Sequence, residues 1–358
     1  MRILISGVCG FVGSELALGL RRAGHAVCGL DNFSRAGSEL NLPRLEAAGV
    51  EFARGDVRFE KDLERWRDLD WVLDAAANPS VLAGVDGKTG SRELMEHNLW
   101  GTVNLLEVCK REKAGMILLS TSRVYSINSL CSLPVAAKDG AFVLDEKSGA
   151  AGPDGVREEF PTSAPISLYG ASKLASEQVA LEYGSAFGFP VWVNRCGVMA
   201  GAGQFGKPDQ GIFSYWIHSW AAQAPLKYIG FGGTGHQVRD CLHPDDLLVL
   251  VLKQLERGTT GSGSHPQQAE DRIVNVSGGA QSAMSLLQLS EWCSEEFGPH
   301  DVAVDLSPRP FDLPWVVLDS SRAEQLWGWM PQKTVRQICA EIGRHAREHP
   351  EWLKVSAG

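Results

Sequence analysis

Over the first third of the chain, apolar residues come in short runs separated by longer amphipathic stretches. Runs at 3–6, 26–31, 51–55, 71–76 and 116–120 are mostly apolar and four to six residues long, the pattern of strands covered on both faces. The stretch 11–23 follows the first run as a helix, and each of the last three runs is preceded by a helical stretch. Residues 98–112 load Leu99, Val103, Leu106 and Val108 on one side, and 172–187 carries a second clear helical signal. Strand–helix alternation with apolar strands predicts a parallel sheet covered on both faces. Right-handed crossovers make that sheet doubly wound.

Between 126 and 166 the periodicity lapses into Gly, Pro, Ser, Asp and Glu. A stretch this long in a compact domain is expected to be a lid or binding loop, the alternative being a solvated insertion without a role. From about residue 197 the pattern is mixed, and 258–271 reads as a surface loop. The predicted organisation is therefore α/β. A Rossmann-type doubly wound parallel sheet occupies 1–190, with 126–166 as an inserted loop. A smaller mixed α/β, mainly substrate-binding domain occupies 191–358, and segments near Val191 and Ile273 are candidates to return to the first sheet.

Composition narrows the partners. Hydrophobic residues make up 44% of 358, enough for a sizeable core and roughly two domains. The formal net charge of −9 argues against nucleic acid or an anionic membrane surface as partner. It leaves room for an anionic small molecule held by a few local arginines. The apolar run after Met1 is too short for a signal peptide and no stretch approaches a membrane span, so a cytoplasmic location is expected. Eight cysteines (Cys9, Cys28, Cys109, Cys131, Cys196, Cys241, Cys293 and Cys339) form no C-x-x-C pair. Reduced, mostly buried thiols are expected, with no disulfide framework and no metal site.

The candidate chemistry begins at the first strand–helix junction. Gly7-Val8-Cys9-Gly10-Phe11-Val12-Gly13 has the spacing G-x-x-G-x-x-G. Glycines there let the backbone turn tightly and let a pyrophosphate approach the helix N-terminus, where free N–H groups favour anions. Asp31 ends the second strand about 20 residues on, where a carboxylate accepts from the adenosine ribose hydroxyls and repels a 2′-phosphate. That favours NAD, although Arg35 close by is the kind of residue an NADP enzyme would use. Asn32 and Ser34 lie in the same turn. Asp56 and Val57 follow the third strand, and Ala75, Ala76 and Ala77 follow the fourth, offering small side chains where backbone must pass close to a cofactor.

Tyr169-Gly170-Ala171-Ser172-Lys173 sets Tyr and Lys on one helix face, one turn apart. An ammonium near a phenol lowers its pKa, which suits a base that takes a hydroxyl proton while hydride leaves the same carbon. Ser120, Thr121 and Ser122, at the end of a predicted strand, could hydrogen-bond the substrate oxygen being oxidised. Thr121, Ser122, Tyr169 and Lys173 are the candidate catalytic set.

Together with Asp56-Val57, Asn98 and Val124-Tyr125, these motifs resemble the extended short-chain dehydrogenases, the sugar-nucleotide epimerases and dehydratases. The resemblance covers nearly the whole chain, continuing through Gln237-Val238-Arg239-Asp240 and Arg309-Pro310-Phe311-Asp312 to Leu326-Trp327-Gly328-Trp329. It implies a nucleotide-sugar substrate and a homodimer or homotetramer, in which helices 98–112 and 172–187 are candidates for pairing. By the same resemblance Asn98, Cys196 and Val198 lie on the NAD side, and Lys173 holds the nicotinamide ribose. Arg239 and Arg309 hold the nucleotide diphosphate, with Arg123, Gln204, Gln210, Gln237 and Asp312 also on the substrate side. Within the family, the stretches around Asn194-Arg195-Cys196-Gly197, Gln204-Phe205 and Asp209-Gln210-Gly211 are most similar to the CDP-tyvelose (CDP-paratose) 2-epimerase branch. That likeness implies inversion at C2 of a CDP-sugar through a transient 2-keto sugar. A 4-epimerase, a net dehydrogenase or reductase, and a non-catalytic dinucleotide sensor remain alternatives. No Asp-Glu pair stands at Ser122-Arg123, which disfavours dehydration, and Asn78 replaces the His that many relatives carry after the alanines.

Overall fold

The computed structural model describes residues 1–144, 146–259 and 269–357. Its centre is a sheet of seven strands: β1 (Arg2–Ser6), β2 (Ala26–Asp31), β3 (Glu51–Arg54), β4 (Trp71–Asp74), β5 (Gly115–Thr121), β6 (Val191–Cys196) and β7 (Ile273–Val276). They lie in the order β7-β6-β5-β4-β1-β2-β3, every neighbouring pair parallel. Register places Ile3 beside both Val27 and Trp71. All of β4 and β6 is buried, as expected of parallel strands covered on both faces.

The helices of ten residues or more are α1 (Phe11–Arg22), α2 (Gly101–Glu112), α3 (Ser167–Phe187), α4 (Ile212–Ala221), α5 (Pro244–Thr259), α6 (Leu286–Phe297) and α7 (Val335–Glu348). On one face of the sheet Leu16, Ala17 and Leu20 of α1 meet Leu247, Leu250 and Val251 of α5. On the other, Leu105, Leu106 and Cys109 of α2 join Ala180 and Leu181 of α3. A second body gathers α4, α6 and α7 round Trp216, Ile217, Trp292, Ile338 and Ile342. Helices α6 and α7 both start at capping boxes, Ser285 with Gln288 and Thr334 with Gln337, which satisfy otherwise orphaned N–H groups.

The chain passes repeatedly between the two bodies. β6, β7 and α5 lie beyond residue 190 yet belong to the central layers, and Ala323, Trp327 and Trp329 return to pack there. The segment 126–166 contains the helical turn Ile127–Cys131 and two small ribbons. Its Leu130, Leu133, Leu144, Val156 and Phe160 form a core with Trp315–Val316 and Leu318. Apolar residues without a regular period were enough to anchor it.

Two local expectations are revised. The helix expected before β4 is only a 3-10 turn at Glu60–Asp62. The buried Leu63, Trp66 and Leu69 that follow it lie in turns and irregular chain, where Asp68 at φ +56° breaks any continuing helix. Helix α3 begins at Ser167 rather than 172, so Tyr169 lies within its first turn. The loop expected at 258–271 lies largely outside the described residues. Among the described residues no helix is long and apolar enough to cross a membrane.

Candidate active site

A cavity of about 980 Å³ lies between the C-terminal ends of the central strands and the second body. β2 lies on one side of β1 and β4 on the other, so strand order reverses there. That is where ligands enter open α/β sheets. The glycine loop forms its floor. Gly7 has φ +64°, and a Cβ added there would stand 3.0 Å from the Ala76 Cα. A Cβ on Gly13 would stand 2.2 Å from the Gly7 carbonyl oxygen. The loop is thus compressed against the start of α1, whose N-cap, Gly10, provides no side-chain cap. The Ser6 hydroxyl accepts the N–H groups of Ala75 and Ala76 at 3.1 and 3.0 Å and donates to Asp74 at 2.7 Å. This holds the alanine strip along the cavity.

At one end stand Asp31, Asn32, Ser34, Arg35, Asp56 and Val57. The Asp31 carboxylate accepts from the Cys9 and Phe33 N–H groups at 3.0 and 2.8 Å, while burial pushes its pKa up. Burial works in the same direction on Asp56, but hydrogen bonds from Arg58 and Asn32 outweigh it and hold that carboxyl at about 2. Arg35 donates Nη1 to the Gln210 side chain at 2.8 Å, and its Nη2 is buried without a hydrogen-bond partner. Gln204 Oε1 and Gln237 Oε1, farther along the wall, are buried and unpartnered in the same way. Unpaired buried polar atoms are costly and rare in native proteins. Three along one cavity, above a glycine cradle and an aspartate at the ribose end, fit an elongated polar cofactor and its substrate.

Ser120, Thr121, Ser122, Arg123 and Tyr169 converge on the middle of the cavity with Cys196 and Val198. The Tyr169 side chain is hydrogen-bonded to Thr121, whose Oγ also accepts the Arg123 N–H at 3.2 Å. Close packing is possible because residue 170 is glycine: a Cβ there would meet the Arg123 carbonyl oxygen at 2.3 Å. The expectation that Lys173 lowers the Tyr169 pKa is revised. Burial sets the phenol above its ordinary value, and the opposing influences are the Thr121 hydrogen bond and the Arg123 guanidinium. Lys173 is buried behind the wall, its pKa pulled down by burial and pushed back by Asp74 and Glu177. Asn98 is also outside the wall. Its amide accepts the Asn78 N–H at 2.8 Å and donates to the Asn78 carbonyl and the Ser172 hydroxyl, both at 3.1 Å. It ties the strip that follows Ala77 to α3 instead of facing the cavity.

At the far end Gln237, Arg239, Arg309 and Asp312 line the cavity with Arg123. Arg239 pairs with Asp312 at 3.3 Å. Arg123 Nη1 donates to the Phe311 carbonyl at 3.1 Å, and Arg309 Nη2 to the Pro208 carbonyl at 2.9 Å. Burial, then the neighbouring Arg239, draw the Arg123 pKa down to about 10. Three guanidiniums against one carboxylate make a local positive site in an acidic protein, suited to a diphosphate. Wall residues that sequence reasoning missed include Ser80, Lys207 and Tyr215, while Asp209 and Phe311 lay inside recognised motifs without an assigned role. They sit in loops and on a helix whose apolar face gave no chemical signal. No described residue of 126–166 lines the cavity; the segment packs on Trp315–Val316 and Leu318, and its Glu158 carbonyl accepts from Arg195.

A family model described as the NAD dependent epimerase/dehydratase family matches residues 3–268. CDP-paratose 2-epimerase of Salmonella typhi is 28% identical over 349 residues, spanning 94% of this chain and 96% of that protein. A putative UDP-glucose 4-epimerase of Methanocaldococcus jannaschii is 25% identical over 339 residues, 94% of this chain and 95% of its own. Among solved structures, UDP-glucuronic acid 4-epimerase of Bacillus cereus in complex with UDP-glucuronic acid and NAD superposes with a TM-score of 0.77 at 26% identity. That superposition covers 97% of this chain and 99% of the other. With the family model matching residues 3–268 and the fold superposing over 97% of the chain, the chain belongs to the NAD-dependent epimerase/dehydratase family.

Proposed function

We propose that the protein is a redox-neutral epimerase of a nucleotide-linked sugar, inverting C2 of a CDP-sugar of the CDP-paratose/CDP-tyvelose type. When bound, NAD supplies the acceptor for a hydride from the sugar carbon and the donor for its return to the opposite face. Tyr169 Oη takes the C2 hydroxyl proton as hydride departs and gives it back as hydride returns, so no net oxidation occurs. Thr121 and Ser122 orient the sugar oxygen, with Thr121 already bonded to Tyr169. Lys173 stands one turn on, buried behind the wall, while Arg239 and Arg309 hold the diphosphate.

The observation that carries C2 is the reach of the cationic cluster to the base. Arg123 lies between the two: its backbone packs on Gly170 beside Tyr169, and its guanidinium donates to the Phe311 carbonyl next to Asp312, the partner of Arg239. C2 is bonded to the anomeric carbon that carries the phosphate, whereas C4 lies across the ring. A base separated from the diphosphate arginines by the single side chain of Arg123 favours the carbon next to the anomeric centre. The similarity to the Salmonella typhi 2-epimerase across 94% of this chain supports that carbon, while 4-epimerases at 25–29% identity supply the rival reading that the test separates.

The test is NMR of CDP-paratose, CDP-glucose, UDP-glucose and GDP-mannose incubated with the purified protein and no added cofactor. Inversion at C2 of the CDP-sugar is expected, with turnover falling about 10²–10⁴-fold in Tyr169→Phe. Inversion at C4 of a UDP-sugar, with the CDP-sugars untouched, would overturn the C2 reading. Net formation of NADH would overturn redox neutrality.

A further inference from the structure

Opposite the cofactor floor, the cavity is walled by the segment 204–211, which comes from the second body. The left-handed glycines Gly203 (φ +77°) and Gly211 (φ +70°) bracket it. An added Cβ on Gly203 would meet nothing within 4 Å, so its conformation, not crowding, calls for glycine. The base of the segment is fixed from behind. The Gln204 carbonyl accepts from the Ser214 hydroxyl and from the Trp352 indole, each at 2.9 Å, and Phe205 stacks on Trp352 with ring centroids 5.2 Å apart. Lys207 and Gln210 close a tight turn by exchanging backbone bonds of 2.7 and 3.0 Å.

The tip of that turn reaches across the cavity. The Asp209 carboxylate accepts the Ser80 hydroxyl at 2.6 Å, and Gln210 Oε1 accepts Arg35 Nη1 at 2.8 Å. Ser80 stands just past the alanine strip, and Arg35 stands at the ribose end beside Asp31. These two bonds therefore join the second body to both loops of the first that the cofactor must lie along. Pro208, between them and Lys207, accepts Arg309 on the diphosphate side. The sequence resemblance put Gln210 on the substrate side; the structure ties it to Arg35, at the ribose end of the cavity.

We infer that Asp209 and Gln210 are positioning residues that clasp bound NAD in the cavity by pinning the segment 204–211 to Ser80 and Arg35. The inference rests on the epimerase reading, because returning hydride to the same sugar requires that the reduced cofactor not leave before the ketone is reduced. The clasp also acts from the ligand side: by way of Pro208 it is coupled to the arginine expected to hold the diphosphate, so an occupied substrate site tightens it.

The experiment measures NAD content of the purified protein after gel filtration, and the rate at which bound NAD exchanges with isotopically labelled NAD. Wild type should retain NAD with slow exchange. Asp209→Ala and Gln210→Leu should each speed release by about ten-fold or more, the worth of one hydrogen bond to a charged group. Gln210→Glu, which restores an acceptor for Arg35, should return exchange to the wild-type rate; a loop that had merely loosened would not be rescued. Wild-type exchange in both Asp209→Ala and Gln210→Leu would overturn the clasp alone. A wild-type protein that holds no NAD would overturn the clasp together with the retained-cofactor cycle beneath it.

Discussion

Replacing Glu177 with Gln tests the layer directly beneath the site. Glu177 lies one turn beyond Lys173 on α3, as Lys173 lies one turn beyond Tyr169. Its side chain is 0% exposed and that of Arg195 is 5%. The carboxylate accepts Arg195 Nε at 3.1 and 3.2 Å and Nη2 at 2.7 Å, and it also accepts the Ser120 hydroxyl. Arg195 has further contacts: Nη1 reaches the Glu158 carbonyl at 3.2 Å and the Tyr125 hydroxyl at 3.4 Å. Glu177→Gln keeps the shape and one acceptor oxygen but leaves the guanidinium without a counter-charge. Removing one partner of a buried pair costs about 3–5 kcal/mol. The retained oxygen places this change near the lower figure. At about 2–4 °C per kcal/mol for a large domain, the melting temperature should fall by roughly 6–12 °C. Thermal and urea unfolding followed by circular dichroism would measure it. Replacing both residues with Met should recover part of the loss, because the apolar pair leaves no charge to desolvate. A single variant melting within about 2 °C of wild type, or a double variant no better than the single, would refute this account.

Two further outcomes follow from the geometry. Gly13→Ala places a methyl 2.2 Å from the Gly7 carbonyl oxygen, and the resulting strain should weaken NAD binding by about 10–100-fold in a titration; wild-type affinity would contradict the compressed cradle. Asp240 is buried, which raises its carboxyl from 3.8 to about 6. The folded state therefore holds that proton more tightly, so stability from this group is fully present below about pH 4, declines as pH rises through 6, and is level above. The loss is on the order of 3 kcal/mol. His345 works in the opposite sense: burial first, then His218 and His349, lower it from 6.5 to about 4, and its contribution is lost as pH falls through that window. Asp240→Asn should thus show stability rising more steeply from pH 4 to 6 than wild type does, and parallel curves would refute the assignment.

Much of the central sheet was legible because its strands are buried on both sides, and unbroken apolar runs say so without reference to distant residues. Strand β2 occupies the 26–31 run read from sequence. The cofactor floor was legible for a related reason: glycines at fixed spacing record a backbone constraint that no other residue meets. The helix before β4 was misjudged because Leu63, Trp66 and Leu69 recur at a helix-like spacing, while the chain that carries them is turn and irregular structure. What stayed hidden depended on contacts between residues far apart in the chain. Asp209 meets Ser80 across 129 positions and Gln210 meets Arg35 across 175, and neither residue type suggests a clasp. The environment of Tyr169 was hidden too, since helix spacing gives neighbours on one face but not the desolvation that sets a phenol's pKa.

The strand order has a consequence for dissecting the protein. A fragment ending at residue 190, the boundary read from sequence, would contain β1 to β5 but lack β6 and β7. β5 would then lose its partner along Met116–Thr121, where register pairs it with β6 from Val191 to Cys196. Its unpaired N–H and C=O groups would flank the apolar run Met116, Ile117 and Leu118. A bare apolar edge of that kind recruits strands from other molecules, so the isolated fragment should aggregate when expressed. The two bodies are separate in shape, but the last strands of the first are supplied by the half of the chain that builds the second.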